Sequence, residues 1–108
     1  MKRFHLALGV SSVEESVVDY SARLDQQPDI VIPNEYALWR TPTLNFSIRK
    51  VSQEDSGKLR HLGWESPDTA EFSTAIDVNH IPWERFTTDQ QEEEIRRIWP
   101  NTHNYPKH

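Results

Sequence analysis

Two stretches of this chain, 56 residues apart, carry the same local code: a strand followed by a capped helix. That repeat limits the fold more than any other feature. In the first copy, Phe4, Leu6, Leu8 and Val10 alternate with His5, Ala7 and Gly9, the period of a strand with one aliphatic face. Ser12 with Glu15 is a capping-box signal, and Ser11 with Glu14 offers a second register. Val13, Val17, Tyr20 and Leu24 then fall on one helical face, and Pro28 closes the helical region. Placing His61 over His5 aligns His61-Leu62-Gly63 with His5-Leu6-Ala7, and sets Asp68 and Glu71 on Ser12 and Glu15. The second copy therefore predicts a strand over Leu59–Glu65, with Leu62 and Trp64 facing one way and His61, Gly63 and Glu65 the other. A helix should follow Pro67, with Phe72, Ala75 and Ile76 on its apolar face.

The two copies are unequally supplied with core residues. Of 25 Leu, Ile, Val and Phe, 18 lie in the first 65 residues and seven in the remaining 43. Seven is about 16% of that segment, below the roughly 20% at which a charged segment defaults to disorder. Residues 66–108 also hold −4 of the net charge of −5. A chain of 108 residues implies one domain with one core. The first part should build that core, and the second should wrap around it or pair with another copy. Cysteine is absent, which excludes disulfides, thiolate metal sites, Fe–S clusters and a cysteine nucleophile. The acidic balance argues against a nucleic-acid partner, since phosphate neutralisation needs clustered Lys and Arg. No apolar run approaches the roughly 20 residues of a membrane span. The N-terminus lacks the apolar region of a secretory signal, so the chain is expected to be cytoplasmic.

Between the copies, Ile30–Ile32, Tyr36–Arg40 and Leu44–Lys50 read as three short strands, separated by turn signals at Pro33-Asn34-Glu35 and Thr41-Pro42-Thr43. Residues 52–58 are a polar surface connection. Beyond residue 77 no useful period-two pattern appears. Pro82 is read as the first turn of a helix over Trp83 to Phe86, and Thr88 with Gln91 as the cap of another. Ile95, Ile98 and Trp99 form the apolar stripe of that last helix, Pro100 ends it, and a loosely ordered tail follows. The expected fold is α+β. A complete βαβββ module spans residues 1–51, a partial second module 59–77, and a helical extension 78–108, over a curved mixed sheet.

The run Phe4-His5-Leu6-Ala7-Leu8-Gly9-Val10-Ser11 and its capped helix resemble the opening of the vicinal oxygen chelate superfamily, which includes glyoxalase I, bleomycin-resistance proteins and extradiol dioxygenases. Leu44-Asn45-Phe46-Ser47-Ile48 resembles that family's fourth strand, and His61-Leu62-Gly63-Trp64-Glu65 the start of its second module. The resemblance covers residues 3–72 and implies two paired modules whose sheet curls around a cavity. In metal-dependent members the ligands come from the first and fourth strands of each module. His5 and His61 match the two first-strand positions, and the cofactor implied is a divalent metal such as Zn, Ni, Fe or Mn.

The other ligand positions are unfilled on this reading. The fourth-strand face carries Asn45, Ser47 and Arg49 with no carboxylate, and the second module's fourth strand is missing. Two histidines fall short of the three protein ligands a catalytic zinc site uses. Glu65 shares a strand face with His61 but sits about 13 Å along it, too far to complete the site. Asn45, Ser47 and Arg49 are instead assigned to ligand binding, with Arg49 suited to a bidentate anion contact. Arg40 is a second arginine of that kind. Tyr36 and Trp39 are pocket or packing residues on opposite faces, and Trp64 is core. His80 and Glu84 have helical spacing across Pro82 and are read as a helix start; His103 and His108 lie in the tail.

Three functions follow in order. The first is a small-ligand binding protein resembling bleomycin-resistance proteins, taking a small organic anion without an intact catalytic metal site. The second is a metal-dependent enzyme of the glyoxalase or dioxygenase kind, completed across a homodimer. The third is a protein-interaction subunit using its C-terminal helix. An exposed sheet edge, which chains usually pair or cover, makes a homodimer the expected state.

Overall fold

The aliphatic alternation of Phe4 to Val10 becomes β1 (Arg3–Val10), which runs near the middle of the sheet. The computed structural model describes residues 2–100. After β1 come α1 (Val13–Leu24), β2 (Ile30–Ile32), β3 (Tyr36–Arg40), β4 (Leu44–Lys50), β5 (Leu59–Glu65), β6 (Ser73–Ile76), β7 (Pro82–Phe86) and α2 (Thr88–Ile98). One turn of 3-10 helix at Gln53–Asp55 occupies the polar connection. The seven strands form one open, curved, mixed sheet in the order β2-β3-β4-β1-β5-β7-β6, and the class is α+β as expected.

The sheet is two similar halves joined at β1 and β5, which pair antiparallel. In the first half, β1 runs parallel to β4, and β4 antiparallel to β3. In the second half, β5 runs parallel to β7, and β7 antiparallel to β6. The halves differ in what they leave out. Only the first has a helix between its first two strands and a further edge strand, β2.

The first half holds the core. Ser12 caps α1 by accepting from the Glu15 N–H at 3.2 Å, and the helix ends with Asp25 in the left-handed conformation at φ 54°. Leu8, Val10, Ile48, Ala37 and Trp39 face α1, whose Val13, Val17, Tyr20 and Leu24 cover them. Trp39 is fully buried, and its indole N–H donates to the Gln26 carbonyl at 3.0 Å. The opposite face of the same strands carries Ile30, Ile32, Tyr36 and Leu38, which pack on Ile95 and Trp99 at α2. Tyr36 and Trp39 therefore do lie on opposite faces.

The second half departs from the sequence reading in two places. The helix expected after Pro67 does not form. Ser66 instead closes a turn, accepting from the Thr69 N–H at 3.2 Å, and the chain runs on to β6. All four residues of β6 are exposed, so the apolar positions at Ala75 and Ile76 bury nothing. The helix expected at Pro82 is β7, so residues 78–108 do not begin as a helical extension. Proline is tolerated as the first residue of a strand, where its missing N–H breaks no interior ladder bond. Asp77 drives the reversal into β7. Its carboxylate accepts from the N–H groups of Asn79 and Ile81 at 2.8 and 2.9 Å and from the Trp83 indole at 2.8 Å, while His80 takes φ 66°.

The cap of the last helix is Thr87, one residue earlier than the expected Thr88. Thr87 and Gln90 form the reciprocal capping box. Of its expected stripe, Ile95 is buried and Trp99 packs against the same cluster, whereas Ile98 is 41% exposed. Trp64, expected as core, is half-buried and packs edge-on against Phe4 at 5.3 Å. The tail, with His103 and His108, lies outside the described residues. No helix among the described residues is long and apolar enough to cross a membrane.

Candidate functional site

The mixed faces of β1, β4, β5 and β7 share one side of the sheet with α2. Between them lies a cavity of about 110 Å3. His5 sits on β1 and His61 on β5, neighbouring antiparallel strands, and their Nε2 atoms lie 2.9 Å apart. Glu84 on β7 completes the group, with Oε1 3.2 Å from His61 Nε2. The three offer ligand atoms all within 4.8 Å of one another, the one such group among the described residues.

Strand register explains how Glu84 arrives there. Ala7 on β1 is opposite Ser47 on β4, and Gly63 on β5 is opposite Glu84 on β7. Ala7 and Gly63 are equivalent in the 56-residue repeat, so Glu84 holds in the second half the place Ser47 holds in the first. Gly63 is required for that approach: a Cβ there would lie 2.1 Å from the Glu84 carbonyl oxygen. The carboxylate missing from the fourth strand of the first half is supplied by the second. The sequence does not reveal it because Pro82 reads as the opening of a helix. The alternation of Glu84 and Phe86 against Trp83 and Arg85 was the available signal.

A buried hydrogen-bond network fixes the tautomer of His5. Arg40 Nη2 donates to Gln91 Oε1 at 2.8 Å, so the Gln91 amide oxygen faces Arg40. The Asn45 amide nitrogen donates to Glu65 Oε1 and to Gln91 Oε1, each at 2.8 Å. Asn45 Oδ1 is then left facing His5 Nδ1 at 2.8 Å, with the Asn45 main-chain oxygen at 3.2 Å from the same nitrogen. Two acceptors around Nδ1 mean that Nδ1 carries the proton and donates. The Nε2 lone pair is therefore presented toward His61 and Glu84. Orientation of a ligating imidazole through its other nitrogen is the usual support for a metal ligand.

Burial sets the charge states. It pushes the His5 pKa down, against the upward pull of Asn45 and Glu65. His61 falls to about 3, through burial first and then the proximity of His5 and Arg60. Glu84 rises to about 7, through burial and the nearby Glu94 carboxylate, with Arg60 opposing. Both imidazoles are thus neutral near pH 7, the form that binds metals. Burial likewise raises the Tyr36 hydroxyl, which borders the cavity and is partnered with Ser47, to about 12, so it keeps its proton.

The donor set fits a divalent ion. Two donors each about 2.1 Å from one ion, at angles between octahedral and tetrahedral, stand roughly 3.0–3.4 Å apart. The spacings of 2.9 and 3.2 Å are close to that range. Two histidines and one carboxylate, with the remaining directions open to a cavity, form the donor pattern of catalytic zinc and non-haem iron sites.

The other residues singled out from the sequence are divided by the structure. Ser47 and Arg49 line the cavity. Asn45, fully buried, stands behind His5. Arg40 turns away into ion pairs with Glu65 and Glu92 at 3.4 and 2.9 Å. Glu65 lies outside the ligand group, and His80 occupies the Asp77 turn. Arg60, Gln91, Glu94 and Trp99 also line the cavity; the sequence marks Gln91 only as a cap partner and Trp99 only as part of an apolar stripe, and Arg60 and Glu94 carry no signal of a site. No family model matches the chain, and no curated protein sequence matches it.

Proposed function

We propose that this chain is a divalent-metal-dependent enzyme acting on a small oxygen-bearing molecule, of the glyoxalase or dioxygenase kind. The observation that carries this reading is the convergence of His5, His61 and Glu84 at the wall of a cavity, with His5 already held in its ligating tautomer. The parallel pairing of β1 with β4 and of β5 with β7 supports the resemblance to the vicinal oxygen chelate superfamily, because it supplies a fourth-strand carboxylate where the sequence showed none. A divalent ion held there would act as a Lewis acid toward the substrate's oxygens. The protein's own residues do the remaining work. Asn45 orients His5, the Tyr36 hydroxyl holds a proton beside the cavity, and Ile95 with Phe86 excludes water from its inner wall.

A second reading, a small-ligand binding protein without chemistry, rests on one contact. The 2.9 Å spacing of the two Nε2 atoms is also that of a hydrogen bond from His61 Nε2–H to His5 Nε2, satisfied with no ion. Metal analysis of untagged protein separates the two. Near one Zn, Ni, Fe or Mn per chain is expected, lost in His5→Ala/His61→Ala and in Glu84→Gln, with folding of each variant checked by circular dichroism. Folded protein that neither carries nor takes up any of these ions would sink the enzyme reading in favour of the second.

A further inference from the structure

We infer that Arg60 and Arg49, braced by Trp99, form an anion subsite that receives the carboxylate of a small organic acid while its other oxygens reach His5, His61 and Glu84. This rests on the metal reading above and names the class of substrate for it.

Arg60 is in the cavity because of a strand irregularity. Strict alternation along β5 would place Arg60 and His61 on opposite faces. The register between β1 and β5 shifts at this point. Ala7 pairs with His61 but Leu8 with Leu59, so Arg60 is the extra residue. A bulge of this kind re-aims a side chain and is common beside active sites. Its result here is that Arg60 lines the same cavity as His61.

Neither arginine is occupied by a protein anion. Among the described residues, Arg60 makes no hydrogen bond and no ion pair, and Arg49 makes only a contact with the Trp99 ring, 5.3 Å from guanidinium to centroid. The two acids bordering the same cavity, Glu84 and Glu94, lie beyond ion-pair distance of both arginines. Arg60 feels the repulsion of Arg49, which Glu84 and Glu94 offset from beyond contact distance, and an anion between the two arginines would relieve it directly. A guanidinium stacked on an aromatic ring keeps its N–H edge free for a carboxylate.

Charge and size narrow the ligand further. With both histidines neutral and Glu84 ionised against a bound divalent ion, the two arginines and two glutamates cancel, and the ion leaves the cavity with an excess of two positive charges. A volume of about 110 Å3 is well below the roughly 300–1,000 Å3 of drug-sized sites, so the acid is small.

A matched pair of probes tests the subsite. 3,4-Dihydroxybenzoate and catechol carry the same vicinal oxygens and differ by one carboxylate. Each is titrated into Co2+-loaded protein and followed by the visible Co2+ spectrum, while benzoate is titrated into metal-free protein by calorimetry. Wild type should prefer the acid over catechol by roughly 10–100-fold, the range of charge-assisted hydrogen bonding. Arg60→Gln and Arg49→Gln should lose that preference and benzoate binding while keeping the Co2+ spectrum, and Arg60→Lys should retain part of both. An unchanged preference in both glutamine variants, or none in wild type, overturns the subsite and leaves the metal reading standing. Protein that takes up neither Co2+ nor any of Zn, Ni, Fe or Mn defeats the metal reading. The benzoate arm then decides the subsite alone: binding lost in the glutamine variants supports it, and binding absent in wild type or unchanged in them overturns it.

Discussion

Glu65→Gln should destabilise the protein by about 3 kcal/mol, although the two side chains have the same shape. Glu65 is 2% exposed, and every group around its carboxylate is a donor. Arg3 Nη1 lies at 3.2 Å, Arg40 Nε at 3.4 Å and Asn45 Nδ2 at 2.8 Å, and the Thr88 hydroxyl also donates to it. A glutamine amide would turn its NH2 toward guanidinium and amide donors, with only the Thr88 hydroxyl able to rotate and accept from it, and would leave two cations without their shared anion. Breaking a buried pair by removing one partner costs about 3–5 kcal/mol. The low end applies here, because Arg3 is 24% exposed at its side chain and Arg40 keeps Glu92 at 2.9 Å. At about 4 °C per kcal/mol for a domain of this size, the melting temperature should fall by roughly 12 °C. Urea titration and thermal melts followed by circular dichroism measure both quantities.

The pH dependence of that loss has a definite sign. Burial alone would raise the Glu65 pKa. Hydrogen bonds from Thr88 and Asn45 and the charges of Arg40 and Arg3 outweigh it and hold the pKa below the ordinary 4.5. The folded state therefore favours the ionised carboxylate, whose contribution is complete above that value and is lost as the pH falls through the folded pKa. The gap between wild type and Glu65→Gln should be widest near neutral pH and shrink below about pH 4.5. A melting temperature within about 3 °C of wild type at pH 7, or a gap that widens on acidification, would refute the reasoning.

Two further outcomes test how the site is built. Gly63→Ala places a Cβ 2.1 Å from the Glu84 carbonyl oxygen and 2.9 Å from its nitrogen, atoms of backbone that cannot step aside, so β7 must shift from β5. About 3 kcal/mol of stability and most of the affinity for Zn2+ should go together, by thermal melt and chelator competition, and retained affinity would refute the role given to that close approach. Asn45→Ala should weaken Zn2+ binding by about 10–100-fold and shift the 15N signature of metal-free His5 away from the Nδ1–H tautomer, and an unmoved tautomer would remove Asn45 as its positioning residue.

Much of the fold was legible because most strands announce themselves by period. Tyr36–Arg40 and Leu59–Glu65 coincide with the observed strands, and α1 carries both a cap and an apolar stripe. What failed is the part of the chain whose elements bury little. The segment after Pro67 has a cap-like Asp68 and Glu71, but Ala75 and Ile76 have no core to face and Phe72 reaches only Phe86 at the cavity edge, so no helix is stabilised there. The turn into β7 is held by side-chain hydrogen bonds from Asp77, which leave no hydrophobic period to read. The site suffered the same way. His5 and His61 were visible through the repeat, whereas Glu84 depended on the misread strand and Arg60 on a register shift that only pairing reveals.

The two halves divide the labour unevenly, and that division accounts for the site. The first half has the helix and the apolar residues, so it supplies the rigidity. The second half lacks the helix and has fewer apolar residues: β7 pairs with β5 and buries Phe86 against His5, while β6 is held by backbone pairing to β7 and by the Asp77 turn. A ligand on so lightly packed a strand needs its position fixed from elsewhere. Gly63 provides this by letting the Glu84 backbone approach β5 too closely for any larger residue. The buried charges provide the rest. Glu65, at the end of β5, joins Arg3 on β1, Arg40 on β3, Asn45 on β4 and Thr88 on α2. One carboxylate thus ties both halves and the last helix to the residue that orients His5. Stability and site geometry are coupled through Asn45, so substitutions in the α1-side core should lower the melting temperature without altering the tautomer of His5, while those around Glu65 should change both.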